Sequence, residues 1–264
     1  MMFLEALSSA FRAIFGSAVT RYEARHRLLV GLAAKLGFRV YNKNLNWPGD
    51  KEFIKIWTRF PGSGKLPHDR KFTLHSIAKS VQNVPGELVE CGVFKGGGSF
   101  VILSGTKEKR LFGFDSFEGL SEPDVIDRPD SEKVFQWAKN DMRVPIAVAQ
   151  ANLASFGERV RLHPGWIPNE FDAVADDTFA LLHIDVDLYD PTFASLDFFY
   201  PRMNLGGVIV CDDYGFLSCP GARMAMDDFF ADKPENVVHL TSGQGIVFML
   251  GQHEITLAES AEAP

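Results

Sequence analysis

From residue 87 onward the chain repeats one pattern: a short apolar run, a turn rich in glycine or acid, then a longer segment of helical character. The runs fall at 87–91, 111–115, 160–163, 180–185 and 207–211, with helical segments at 99–105, 144–156, 191–200 and 222–230. Strands that are apolar along their length and separated by helices are expected to lie parallel, with both faces covered. The alternation therefore predicts a doubly wound α/β sheet. Two further runs, 236–240 and 245–250, are joined by Thr241-Ser242-Gly243-Gln244 and read as a hairpin. A C-terminal antiparallel hairpin closing a parallel sheet is uncommon enough to narrow the fold.

A chain of 264 residues with 46% hydrophobic content can bury one large core. We expect a helical and irregular extension over 1–70, the α/β domain over 71–253 and a frayed tail over 254–264. Within the extension, residues 1–38 read as one or two helices broken near Gly16 and stopped at Gly37, and 41–69 as turn-rich and irregular. A helix is expected over 73–82.

The formal charge of −7 leaves no basic footprint for a nucleic acid. No run approaches the ~18–20 apolar residues that span a bilayer, and Met1-Met2-Phe3-Leu4 lacks the basic start of a secretory signal, so a cytoplasmic protein is expected. Phe3, Leu4, Leu7, Phe11, Ile14, Phe15 and Ala18 recur at helical spacing. That stripe is expected to cover the body or a second copy, making a homo-oligomer, with membrane-surface contact as the lesser reading. Cys91, Cys211 and Cys219 have no metal-ligand spacing and read as buried thiols of a reducing compartment.

The chemistry sits at the strand ends. The first strand closes in Glu90-Cys91-Gly92 and runs through Gly96-Gly97-Gly98-Ser99 into a helix, where glycine lets backbone approach a ligand. Phe94 breaks the dinucleotide GxGxxG spacing and no Gly-Lys-Ser/Thr follows, so both phosphate-binding motifs fail. Glu90 would repel a pyrophosphate but suits the ammonium of an amino-acid-like ligand. Asp115, at the end of the second strand, stands where a carboxylate commonly takes ribose hydroxyls; alone, it equally caps a turn. Asp185 and the Asp212-Asp213 pair close two later strands, and an oxygen-only set suits Mg²⁺, Mn²⁺ or Ca²⁺. His183 reads as a satisfied core histidine, Asp187 either orients its loop or meets solvent, and Asp190 before Pro191 fits a helix cap.

Five ordered segments carry a family resemblance: Val84-Pro85-Gly86-Glu87-Leu88-Val89-Glu90-Cys91-Gly92-Val93-Phe94-Lys95-Gly96-Gly97, Gly113-Phe114-Asp115-Ser116-Phe117-Glu118-Gly119-Leu120, Gly165-Trp166, His183-Ile184-Asp185-Val186-Asp187-Leu188-Tyr189 and Asp212-Asp213-Tyr214-Gly215. Over about residues 70–250 the chain resembles the macrocin O-methyltransferases, which use S-adenosylmethionine and Mg²⁺ to methylate sugar hydroxyls of natural products. The resemblance implies a class I methyltransferase sheet, Rossmann-like, whose reversed last strand agrees with the hairpin. It implies that Glu90, Gly92 and Ser99 hold the methionine end of the cofactor, Asp115 the ribose, and Ser116 and Trp166 the adenosine. Asp185, Asp212 and Asp213 would hold Mg²⁺ or Mn²⁺, with Asp185 also the general base. Lys95 stands where many relatives carry arginine.

The expected activity is thus O-methylation of a sugar, on a small-molecule or glycan acceptor with vicinal hydroxyls. The segment Tyr41-Asn42-Lys43-Asn44-Leu45-Asn46-Trp47 either lies over that acceptor or is a connector, and residues 118–131 form either a lid or a solvated loop. Competing readings are a catechol or phenol methyltransferase, a glycosyltransferase using Asp185-Val186-Asp187 as a DxD motif, and a non-catalytic cofactor-binding subunit.

Overall fold

The computed structural model describes residues 14, 18–36, 47–61, 69–132 and 134–251. The aromatic stripe before Ala18, Gly37, the asparagine segment up to Asn46 and the tail from Glu254 lie outside the described residues, apart from Ile14. The chain divides into two compact units, Met1–Lys55 and Ile56–Pro264. The first carries helix α1, Ala18–Lys35. Helix α2, Lys51–Trp57, falls inside the stretch expected to be irregular. Its signal was the Asp50 carboxylate, which caps the Phe53 amide at 2.8 Å, and the spacing of Phe53 and Trp57, both buried. Neighbouring prolines and glycines hid a helix this short.

The second unit is a seven-stranded sheet flanked by helices. In chain order it runs α3 (Asp69–Ser80), β1 (Glu87–Cys91), α4 (Gly97–Gly105), β2 (Leu111–Asp115), α5 (Ile146–Leu153), β3 (Val160–Pro164), β4 (Phe179–Ile184), α6 (Tyr189–Phe199), β5 (Met203–Cys211), α7 (Pro220–Phe230), β6 (Val238–His239) and β7 (Gly245–Phe248). The strand order is β3-β2-β1-β4-β5-β7-β6. Pairs among β1 to β5 are parallel, and β7 is antiparallel to both β5 and β6. The hairpin expectation holds, with β7 slotted between β5 and its own partner.

Strand alternation sorts the core. Val89, Cys91, Phe114, Leu182, Ile184 and Ile209 point to one face, where Leu196 and Phe199 of α6 and Met226 and Phe230 of α7 close a large apolar cluster. Leu88 and Glu90 alternate to the other face, where Ser99 of α4 meets Glu90. There Phe60 packs on Phe100 of α4 at 5.3 Å between ring centroids, and His75 of α3 bonds the Val101 carbonyl at 3.0 Å. Because β1 and β4 are central and parallel, their carboxyl ends emerge side by side with those of β2 and β5. A crevice of this kind is where open α/β sheets place their chemistry. No helix among the described residues is long and apolar enough to cross a membrane.

Candidate active site

The turn after β1 is shaped by contact with β4. Gly92 has φ +90°, and a Cβ there would sit 1.9 Å from the Asp185 carbonyl oxygen, so only glycine lets the two strand ends close. Asp115 fastens this turn to the next strand. One of its oxygens accepts from the Val93 and Phe94 amides at 2.8 and 2.7 Å, and the other from Phe117 at 2.7 Å. Backbone amides thus take three of its lone-pair positions, and one outward-facing position remains.

A cavity of about 770 Å³ opens over these turns, within the usual size of a cofactor site. Gly92, Asp115, Ser116, Trp166, Asp185 and Tyr189 are among its walls. Trp166 is 38% exposed, and Phe114 and Ile167 add apolar surface beside it. Four residues expected at the cofactor, Gly92, Asp115, Ser116 and Trp166, therefore face one space, shared with Asp185.

Glu90 and Ser99 do not. Glu90 is 1% exposed and Ser99 is fully buried; their side chains hydrogen-bond to each other, and the other Glu90 oxygen takes His183 Nδ1 at 2.9 Å. The Glu90 carboxylate, expected at a ligand ammonium, is engaged here by Ser99 and His183. A buried carboxylate needs a cationic or hydrogen-bonding partner, and His183 supplies it from inside the protein. Gly98 exists to admit that carboxylate, since a Cβ there would meet Glu90 Oε1. Burial alone would push the His183 imidazole down, but the hydrogen bonds with Asp212 and Glu90 raise it to about 9. It is a core histidine with a carboxylate facing each ring nitrogen.

The strand-end carboxylates form two groups rather than one. Asp185 and Asp212 gather with His183, and Asp187 and Asp213 with Cys219, each set having ligand atoms within 4.8 Å of one another. Asp212 is the better satisfied: Arg70 Nη1 lies 2.5 Å from Oδ2, Gln244 Nε2 donates to Oδ1 at 2.7 Å, and His183 Nε2 stands at 3.5 Å. Against the cost of burial, Lys71, His183 and Arg70 hold its carboxyl well below the usual range. Lys71 stands at the edge of the same group, 3.4 Å from Asp185 and 3.8 Å from Asp212.

Asp213 and Asp187 are in the opposite condition. Burial, then the charges of Asp187, Asp185 and Asp212, push Asp213 well above its usual range; burial and Asp185 raise Asp187 to about 7. Their hydrogen bonds are few: the Asp187 amide donates to Asp213 at 3.1 Å, and the Cys219 thiol to Asp187 at 3.3 Å. Among the described residues, the cations that meet these four carboxylates are Arg70, Lys71 and a histidine shared with Glu90. An oxygen-rich donor set with surplus negative charge fits a hard divalent cation.

Sequence reasoning gave no site role to Arg70, Lys71, Gln244 or Trp137, and read Cys219 as a buried thiol alone. The first two open α3 with no motif around them, and Gln244 sits in a turn where glutamine carries no signal. Only the fold brings them to the carboxylates. All three cysteines are free and buried, as expected.

The sheet order with its reversed seventh strand, together with the cavity over the central strand ends, defines a class I methyltransferase. A model of the macrocin O-methyltransferase family (TylF) matches residues 65–239, and the chain belongs to that family. It is 31% identical over 204 residues to demethyldecarbamoylnovobiocin O-methyltransferase of Streptomyces niveus, covering 73% of this chain and 72% of that one. Against the 8-demethyl-8-(2,3-dimethoxy-alpha-L-rhamnosyl)-tetracenomycin-C 4'-O-methyltransferase of Streptomyces olivaceus it is 32% identical over 155 residues, covering 55% of this chain and 58% of that one. Among solved structures, the O-methyltransferase NovP superposes with TM-score 0.57 at 25% identity over 69% of this chain and 80% of that one. The calicheamicin methyltransferase CalS11 shares the fold, with TM-score 0.55 at 20% identity over 79% and 94% of the two chains. The chain is an O-methyltransferase, and the glycosyltransferase and non-catalytic readings fall with that finding.

Proposed function

We propose that this enzyme transfers a methyl group from S-adenosylmethionine to a hydroxyl of a sugar on a small-molecule glycoside or glycan, with a divalent cation at the strand-end carboxylates. One observation carries the reading: the cavity that Gly92, Asp115, Ser116 and Trp166 share runs to Asp185, so a cofactor site and a carboxylate cluster meet in one space. The names of the relatives favour a sugar acceptor, since one is a tetracenomycin rhamnosyl 4'-O-methyltransferase and another the mycinamicin III 3''-O-methyltransferase of Micromonospora griseorubida.

The cavity has room for the cofactor: Asp115 keeps an oxygen position that would take a ribose hydroxyl, Ser116 and Trp166 would border the adenosine, and the Gly92 turn would face the methionine end. When bound, S-adenosylmethionine supplies an electrophilic methyl on a sulfonium. Asp185, Asp212 and Asp213, drawn from both carboxylate groups, would hold Mg²⁺ or Mn²⁺, which would supply Lewis acidity. Asp185 faces the cavity and takes the proton of the acceptor hydroxyl. Arg70, Gln244 and His183 orient Asp212, while apolar walls at Phe114 and Ile167 limit water. The free buried thiols support a reducing, cytoplasmic setting.

The test measures transfer of labelled methyl to glycosides, with and without chelator. Turnover should vanish in excess chelator, return with Mg²⁺, and require a vicinal diol. Full activity in chelator would remove the metal; efficient transfer confined to catechols would replace the sugar.

A further inference from the structure

Residues 122–139, between β2 and α5, are fastened at two points to the turn that carries Asp185 and Asp187. The first is Asp127, 6% exposed, whose Oδ1 accepts from the Tyr189 amide at 2.8 Å and whose Oδ2 accepts from Asp124 at 3.0 Å. Tyr189 opens α6, and Leu188 before it offers no side-chain cap. Asp127 therefore supplies, from a distant segment, the carboxylate that a helix N-terminus favours. Gly221 of α7 leaves the room, since a Cβ there would lie 1.8 Å from Asp127 Oδ1. The second fastener is Trp137: its Nε1 donates to Cys219 Sγ at 3.3 Å, and that thiol donates to Asp187. The stretch 118–131, read from sequence as a lid or a solvated loop, is thus held at Asp127, and Trp137 beyond it supplies the second hold.

Between the two fasteners lies a cavity of about 180 Å³. That is below the ~300–1,000 Å³ of sites for drug-sized ligands and suits one small ring. Trp137 forms part of its wall, and Glu122, Arg128, Gln136 and Lys139 stand around it. These four are exposed, and their side chains make no hydrogen bond or ion pair among the described residues, Arg128 bonding Val125 through its backbone amide alone. An indole beside unspent donors and acceptors of both signs matches a neutral polyhydroxylated ring, with its C–H face on the tryptophan and its hydroxyls on the rim. A strongly anionic ligand would meet Glu122 and Asp127 along with the two cations.

We propose that this cavity is a subsite for a second pyranose of the acceptor, the ring next to the one that carries the reacting hydroxyl. The proposal rests on the sugar reading above and extends it to acceptors of at least two rings. Calorimetry on the full chain, loaded with S-adenosylhomocysteine and Mg²⁺, tests it with methyl monoglycosides and the matching methyl disaccharides of the rhamno, gluco and galacto series.

One disaccharide should bind about tenfold more tightly than its monosaccharide, the equivalent of one or two net hydrogen bonds. That preference should collapse in Arg128→Ala/Gln136→Ala, with monosaccharide affinity unchanged, and persist in part in Trp137→Phe, which keeps an aromatic face. Monosaccharide binding with no disaccharide preference, or a preference that survives the rim substitutions, overturns the subsite. So does tight binding of thymidine diphosphate alone that the same substitutions abolish, which would make it a phosphate site. If S-adenosylhomocysteine binds but no saccharide of any series binds or is methylated, the sugar reading itself fails and this subsite with it.

Discussion

At the ends of β1 and β2 the wall of the cavity is mostly backbone, whereas at the ends of β4 and β5 it is side-chain charge. On the first side, Gly92 lets two strand ends touch and three main-chain amides fix Asp115. On the second, Asp212 is held by Arg70, Gln244 and His183, each from a different element, and Asp213 waits beside Asp187 with little compensation. A backbone cradle is fixed by the fold and tolerates changes in the side chains around it. A buried charge network does not, because removing one member leaves the others unpaired in a low dielectric.

The largest effect should follow from Asp212→Ala. The substitution strands Arg70 and His183 beside an apolar methyl, and breaking a buried pair in this way costs about 3–5 kcal/mol. Chemical denaturation should show that loss alongside the disappearance of turnover. A stable but inactive variant would mean that the network serves chemistry alone, and the contrast between the two sides would fail in its energetic form.

Next comes Gly92→Ala, which attacks the backbone side at its tightest point. The added Cβ meets the Asp185 carbonyl and the residue must keep φ +90°, so we expect destabilisation of at least about 2 kcal/mol. Because the displaced carbonyl belongs to Asp185, cofactor affinity and turnover should fall together. A variant that unfolds normally and loses only cofactor affinity would show that the glycine serves the ligand rather than the strand crossing.

How far all this could be read from sequence divides along the same line. The glycine turn and Asp115 were legible because backbone approach leaves a local trace, glycines at fixed offsets from a strand end and an acid at the end of the next strand, whereas Ser116 and Trp166 came from the family resemblance alone. The doubly wound order and its hairpin were legible from alternation alone. Helix α2 was not, because prolines and glycines on either side outweighed one short apolar spacing. The charge network was half legible. Asp185, Asp212 and Asp213 stand out against apolar strands, but their partners come from the start of α3 and the turn before β7, where nothing local marks them. The pairing of Glu90 with His183 was hidden for a related reason. A carboxylate on a strand looks ligand-facing until the histidine on the neighbouring strand is seen to share its face, and that pairing depends on the β1–β4 register.

The smallest effect we expect, from Asp115→Asn, is the sharpest comparison of the two sides. An asparagine keeps one acceptor oxygen, which can retain the Val93 and Phe94 amides, but its amide nitrogen then opposes the Phe117 N–H, donor against donor. Losing that bond should cost about 1–2 kcal/mol of stability, well under the loss from Asp212→Ala, because the remaining fixing groups are main chain. The same exchange turns the outward position from acceptor to donor, so S-adenosylhomocysteine should bind about tenfold more weakly by calorimetry. Paired measurements separate the two roles of the residue: an affinity loss without a stability loss assigns Asp115 to the ribose alone, and the reverse assigns it to the turn. A stability loss matching that of Asp212→Ala would show that the cofactor side also hangs on one carboxylate, and the distinction between a backbone cradle and a charge network would have to be given up.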